Sequence, residues 1–274
     1  MRKVFCELTG QELKLPDELN RIVSLSPAVT ETLFMLGFGD KIVGVTAFDV
    51  HPEEARKKPI VASYNKVSMK RLMELKPDII FAVTGYQRNT AIELSKLFPV
   101  FMIELPVSVA SIMDMVIKVG NVTGSADKAR SLSKELLNRL CQVHGRLKGK
   151  VYVEIDLGGP VTFGSYSYIT DGLDIIGLRN IFSDKMVEWM EPDFQAVRSA
   201  GPDYIIYEPK MFRPVSADEV FRKLRARGWS DMSSRVLVTP GPYDFLAHHG
   251  PSFITRALPW IVENAPKAPS LNER

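Results

Sequence analysis

Arg21-Ile22-Val23-Ser24-Leu25-Ser26-Pro27-Ala28-Val29-Thr30-Glu31 reads as a strand running directly into a helix. Ile22, Val23 and Leu25 supply the apolar run of a buried strand. Ser26 offers a hydroxyl to cap free N–H groups, and Pro27 enters the first turn with φ already set. Val29, Leu33 and Leu36 then fall at i, i+4 and i+7, one apolar stripe that Gly37 or Gly39 can terminate. The same alternation continues outward. Residues 41–46 read as a strand, 68–75 as a short helix stopped before Pro77, and 78–83 as a strand; 91–97 read as a helix and 100–105 as a strand. Short apolar strands alternating with amphipathic segments predict an α/β fold with mainly parallel strands.

A second series opens after residue 148. Strands are expected over 150–155, 204–207 and 235–239, and helices over 192–199 (Pro192 in its first turn), 217–226 and 252–263. One echo links the two series. Lys76-Pro77-Asp78-Ile79-Ile80-Phe81 is matched by Gly201-Pro202-Asp203-Tyr204-Ile205-Ile206, each after a short helix and opening a buried strand. A repeated unit of this kind predicts two similar Rossmann-like lobes. Ala129, Leu132, Leu136, Leu140, Val143 and Leu147 keep one apolar face along a helix over 125–147, roughly 34 Å long at about 1.5 Å per residue. The expected organisation is an N-terminal lobe over 1–111, a helical backbone over 112–148 and a C-terminal lobe over 149–274. A large surface helix on a single domain is the other reading of residues 125–147.

Composition removes whole classes of function. The 274 residues are 45% hydrophobic and 24% charged, the balance of a globular protein. The net charge of +3 and the single tight basic run, Arg56-Lys57-Lys58, predict no nucleic-acid partner. No apolar stretch approaches the roughly 18 residues of a membrane span. Cys6 and Cys141 fit no metal spacing or disulfide framework, so one surface thiol and one buried small side chain are expected. Met1-Arg2-Lys3 could open a secretory leader, but Glu7, Thr9, Gly10, Gln11 and Glu12 interrupt its apolar region. As written the chain reads as cytoplasmic, or as extracytoplasmic if its start has been trimmed.

Enzyme signatures are missing: there is no G-x-S-x-G, Walker loop, H-E-x-x-H or C-x-x-C, and Gly37-Phe38-Gly39 lacks the third glycine of a dinucleotide fingerprint. Aromatic residues instead follow predicted strands, where α/β folds take ligands. Phe48, Tyr64 and Tyr86 do so in the first series; in the second, Tyr166 and Tyr168 follow the Gly158-Gly159-Pro160 turn and Trp189 precedes the Pro192 helix. The run Tyr243-Asp244-Phe245-Leu246-Ala247-His248-His249-Gly250 follows the 235–239 strand. Aromatic walls with few charges suit a large, flat, partly apolar ligand. His248 could approach a metal from one axial side, or simply be a loop histidine bonded to backbone.

Taken together, the Arg21–Glu31 block, Gly44-Val45-Thr46, Lys76-Pro77-Asp78, Asn180-Ile181-Phe182 and Gly250-Pro251 resemble the cobalamin and ferric-siderophore solute-binding proteins of ABC importers. The stretch from Phe5 to Pro16 is similar to the opening of mature members. The resemblance implies two α/β lobes bridged by a rigid helix, with ligand held in the cleft between them. It also implies aromatic ligand contacts at Phe48, Tyr64 and Trp189 and an acidic contact at Asp244. His248 stands where cobalamin binders carry arginine, which shifts weight toward metal ligation. The Tyr or His axial ligands of haem-binding members keep Tyr64, Tyr86 and His248 as candidates. The exposed acids that dock members on their permease are replaced here by Lys70 and Gln195, which implies either a protein not docked on an importer of that type or one that uses other acids such as Glu74 or Glu191.

The expectation is therefore a monomeric, non-enzymatic binding protein with no intrinsic cofactor. Its ligand is cobalamin or another corrinoid, with haem or a ferric siderophore as the alternative. The ligand-binding set is Phe48, Tyr64, Tyr86, Tyr166, Trp189, Asp244, Phe245 and His248, with His248 the one axial metal candidate. An enzyme on a two-lobed scaffold, such as a nucleotide-sugar transferase, is the reading from another class. Its phosphate loop would have to be Gly158-Gly159-Pro160, a poor version of one.

Overall fold

A computed structural model describes residues 1–63 and 66–272. The chain divides into two compact units, Met1–Leu105 with Ile112–Glu135, and Pro106–Ser111 with Leu136–Arg274. Each is an α/β body around a mainly parallel sheet.

The first unit opens with an antiparallel hairpin, β1 (Arg2–Cys6) and β2 (Gln11–Leu15). Then follow β3 (Ile22–Ser24), α1 (Pro27–Met35), β4 (Ile42–Thr46), β5 (Ile60–Ala62), α2 (Met69–Leu75), β6 (Ile79–Val83), α3 (Arg88–Ser95) and β7 (Val100–Ile103). The sheet order is β5-β4-β3-β6-β7 with every pairing parallel. Strand order reverses at β3 and β6, so the carboxyl ends of these two strands frame the crevice where such sheets take ligands. All five residues of β6 are buried, as expected of a strand covered on both faces. Two helices follow, α4 (Val109–Thr123) and α5 (Ala126–Val143). They approach so closely that a Cβ at Gly120 would sit 2.2 Å from the Ala129 Cβ.

The second unit contains β8 (Gly149–Asp156), β9 (Pro160–Phe163), α6 (Tyr168–Ile175), β10 (Leu178–Asn180), β11 (Trp189–Met190), α7 (Phe194–Ala200), β12 (Tyr204–Glu208), α8 (Ala217–Leu224), β13 (Arg235–Val238) and α9 (Leu258–Asn264). β10, β12 and β13 extend the sheet from β8 in parallel, while β9 and β11 add an antiparallel flank. Tyr152 anchors the core on this side, meeting Phe182 and Trp229 edge-to-face at 6.2 and 5.8 Å.

The internal echo does the same job in both units. Lys76 and Gly201 are the left-handed caps of α2 and α7, with φ of 44° and 54°. Asp78 Oδ2 accepts from the Asn20 and Arg21 amides at 2.7 and 2.9 Å, and the Asp78 amide donates to Arg21 O. Asp203 Oδ2 accepts from the Lys150 amide at 2.7 Å, and its own amide donates to Lys150 O. Each aspartate thus sets the register at the amino end of a central strand pair, β3/β6 or β8/β12.

Several local expectations change. Ser26 precedes α1, but its hydroxyl makes no cap bond, because the residue is buried and only its carbonyl serves the helix. The cap of α7 is Asp193, whose Oδ1 accepts from the Gln195 and Ala196 amides, and Pro192 lies outside the helix. α5 ends about a turn before residue 147, where Gly145 turns the chain at φ 65°. Cys6 is buried and Cys141 exposed, as composition suggested. Among the described residues no helix is long and apolar enough to cross a membrane.

Candidate functional site

In the first unit the turn after β4 is built on Asp49. Its Oδ2 accepts from the Thr46 amide at 2.9 Å and from the Thr46 hydroxyl, and that hydroxyl in turn accepts from the Phe48 amide at 3.1 Å. Phe48 is thereby presented half-buried on a hydrogen-bonded loop. After β6, Gly85 adopts φ 72° and Tyr86 is exposed. The next residue, Gln87, is buried and spans the crevice: it donates to Leu25 O at 2.5 Å and accepts from the Val83 amide at 3.3 Å. Tyr64 lies outside the described residues.

In the second unit Tyr166 and Trp189 are tied to one antiparallel strand pair, β9 with β11. Trp189 pairs with Phe163, and the amides of Gly164, Ser165 and Tyr166 donate to the carbonyls of Glu188, Lys185 and Val187 at 3.3, 2.7 and 3.2 Å. Only glycine fits at 164, because a Cβ there would stand 2.4 Å from Lys185 O and 2.5 Å from Val187 O. Buried Asn180 braces the same segment, donating to Phe163 O and to the Thr170 hydroxyl, both at 2.8 Å. On this braced backbone Tyr166 is 50% and Trp189 62% exposed. Trp189 therefore sits on an edge strand rather than beyond a strand end.

The loop after β13 carries Asp244, Phe245 and His248. Glu208, the last residue of β12 and 1% exposed, lies beneath it. Glu208 Oε1 accepts from the amides of Phe245 and Ala247, both at 3.1 Å, and Oε2 accepts from the Leu246 amide. Burial, and then the nearby Asp244 charge, push the Glu208 carboxyl up to about 7 in spite of these donors. Asp244 is half-buried, and its carboxyl is raised by desolvation, an effect that the interaction with His248 opposes. From the other side, the Tyr168 hydroxyl donates to Leu246 O at 2.6 Å. Phe245 points inward onto Trp260, with centroids 5.4 Å apart, and His248 is 4% exposed. Among the described residues no group of three or more His, Cys, Asp or Glu could hold a metal.

A second buried network in this unit was not read from the sequence. Glu154 on β8 is fully buried and receives Arg227 in a two-pronged pair, Nη1 to Oε2 at 2.5 Å and Nη2 to Oε1 at 2.7 Å. Tyr152 donates to Glu154 Oε2 at 2.7 Å, and Lys223 donates to the Tyr207 hydroxyl at 2.6 Å. Glu208 and Glu154 share one sequence signal, an acid within or closing an apolar strand. Glu208 meets backbone N–H groups 37–39 residues away and Glu154 meets Arg227 73 residues away, and spacing cannot pair such groups.

Residues 22–233 match the family described as periplasmic binding protein. An uncharacterized ABC transporter substrate-binding lipoprotein of Bacillus subtilis is 26% identical over 94% of this chain and 81% of its own length. A vitamin B12-binding protein of Yersinia pestis is 28% identical over 71% of each chain. In fold, the crystal structure of the periplasmic vitamin B12 binding protein of Vibrio cholerae superposes with a TM-score of 0.72 at 19% identity, covering 92% of this chain and all of that one.

Proposed function

This chain belongs to the periplasmic binding protein family, a non-enzymatic component of transport, and from that premise we propose that its solute is a corrinoid. The observation that carries the reading is the exposure of Trp189 on a backbone locked by Gly164 and Asn180. A tryptophan kept out of the core on a rigid strand serves a partner, and its flat face suits a large ring system. Tyr166 is tied to the same flank through Val187 O, and Tyr86 and Phe48 are the corresponding aromatics of the first unit. Asp244 supplies the acceptor for the amide groups that rim a corrinoid. The vitamin B12-binding relative supports this choice of ligand.

The protein works outside the cytoplasm and passes its ligand to the permease of an ABC importer; the lipoprotein relative supports that placement. Lys70 and Gln195 are both exposed, on α2 and α7, where the docking acids of relatives were expected. Glu74, one turn along α2 from Lys70, and Glu191 are exposed as well and supply the acidic contacts in their place.

Optical titration of the purified protein with cyanocobalamin, cobinamide, haemin and a ferric hydroxamate tests the reading. Saturable binding of a corrinoid with Kd of about 1 μM or tighter, about 8 kcal/mol, is expected. Trp189→Ala and Asp244→Ala should each weaken it about tenfold or more. Selective binding of haemin or the hydroxamate would replace the corrinoid, and silence with all four ligands would end the metal-complex reading.

A further inference from the structure

The loop that bears Asp244 has no regular structure of its own between β13 and the helical turn that begins at Phe253. Three consecutive amides in it, those of Phe245, Leu246 and Ala247, nevertheless converge on a single side chain from another strand. Neighbouring amides pointing to one spot form a concave nest that calls for an acceptor with more than one oxygen. Glu208 fills it from beneath, at the carboxyl end of β12, a strand hydrogen-bonded on both sides to β8 and β13. The loop is thus referenced to the middle of the sheet. Tyr168 holds the opposite side of the same peptide through Leu246 O.

We infer that Glu208 is a positioning residue, whose two carboxyl oxygens fold the 244–249 loop and so set the geometry with which Asp244 meets the ligand. The inference about ligand rests on the binding reading above; the inference about the loop does not. Two acceptor oxygens, those of the ionised carboxylate present above about pH 7, are essential. Oε1 serves two amides and Oε2 serves the third, so an amide side chain of the same shape would turn an NH2 group toward the Leu246 N–H and oppose donor to donor. The charged and titratable groups around the nest are Asp244 and His248 on the loop itself, His249 and Tyr168 beside it, and Arg256, whose guanidinium lies 5.9 Å from the Phe245 ring.

The test compares wild type with Glu208→Gln. Amide hydrogen exchange, measured without ligand at pH 8 where Glu208 is ionised, should show protection at residues 245–247 falling about tenfold or more while the amides of β6 and α5 keep theirs. Unchanged protection at 245–247 would overturn the inference. Cyanocobalamin affinity is then measured in Glu208→Gln, Asp244→Ala and the double variant. Glu208→Gln should weaken binding about tenfold in the wild-type background and leave it unchanged once Asp244 is alanine. An equal loss in both backgrounds would mean that Glu208 does not act through Asp244 and would overturn the positioning role. If Glu208→Gln does not fold, Glu208→Asp is read in the same way: it keeps both oxygens but withdraws them by one methylene. A wild type that binds none of the four probes refutes the proposed ligand class, while the exchange result still decides the role of Glu208 in the loop.

Discussion

Arg227→Leu removes the cation that faces Glu154. Glu154 is fully buried, and Arg227 meets it with two short hydrogen bonds while its guanidinium lies 4.0 Å over the Phe194 ring and 5.3 Å from Trp229. Leucine keeps much of the packing volume but leaves a buried carboxylate with the Tyr152 hydroxyl and, at 3.9 Å, the Lys223 ammonium. Removing one partner of a buried pair costs about 3–5 kcal/mol, and loss of the aromatic contact adds about 0.5–2 kcal/mol. At about 2–4 °C per kcal/mol, the lower figure of about 3 kcal/mol for the pair alone lowers Tm by about 6–12 °C. Urea unfolding followed by tryptophan fluorescence is the assay, since fully buried Trp229 lies against the pair. Adding Glu154→Gln to Arg227→Leu removes the stranded charge but keeps an acceptor for Tyr152. The double variant should regain at least about 2 kcal/mol of the loss, a coupling within the range of contacting residues. An Arg227→Leu loss below about 1 kcal/mol, or a double variant no better than the single one, would refute the reasoning.

Gly164→Ala forces a Cβ onto two backbone carbonyls. Overpacking of this kind costs about 1–3 kcal/mol, and because the strain falls on the segment leading into Trp189 it should also weaken ligand binding in the optical titration. Gly120→Ala meets the Ala129 Cβ at 2.2 Å and should lose about 1–3 kcal/mol in urea unfolding, with ligand affinity unchanged. Tyr168→Phe strips the donor from Leu246 O and should cost about 1–3 kcal/mol, with faster exchange confined to the loop. Glu208 stays protonated to about pH 7 in the folded protein but releases its proton near 4.5 when unfolded. Its contribution to stability is therefore complete below pH 4.5 and is lost as pH rises to about 7, a fall on the order of 3 kcal/mol. Stability profiles of wild type and Glu208→Gln should diverge over that window; parallel profiles would contradict the assignment.

Much of the fold can be read along the chain because its determinants are local. The Arg21–Glu31 stretch carries a strand and a helix start within eleven residues, with the apolar stripe completed by Leu36, and the Pro-Asp echo carries a cap and a strand start within six. Elements of weaker period, such as the two-residue β11 and the β1/β2 hairpin, are not legible in this way, since strand pairing across a sheet leaves little trace in either strand alone. Ser26 shows the same limit from the other side: its sequence position is right for a cap, yet burial turned its hydroxyl away from that role.

The candidate site divides in the same manner. Residue type and chain position identified Trp189, Tyr166, Tyr86 and Asp244 as groups worth testing. Whether a ring faces solvent or the core is decided by neighbours that are distant in sequence: Trp189 is exposed on its edge strand, whereas Phe245 turns in onto Trp260 and His248 is buried. Glu208 and Glu154 acquire their partners only when β12 meets the 244–249 loop and β8 meets Arg227. The sequence by itself determined the α/β class and the duplicated unit, because each depends on local period and pattern, and the non-enzymatic role followed from the family its motifs resemble. The tertiary structure decided which polar groups are buried and which partners satisfy them, because a buried charge must be matched in space by whatever part of the chain arrives there.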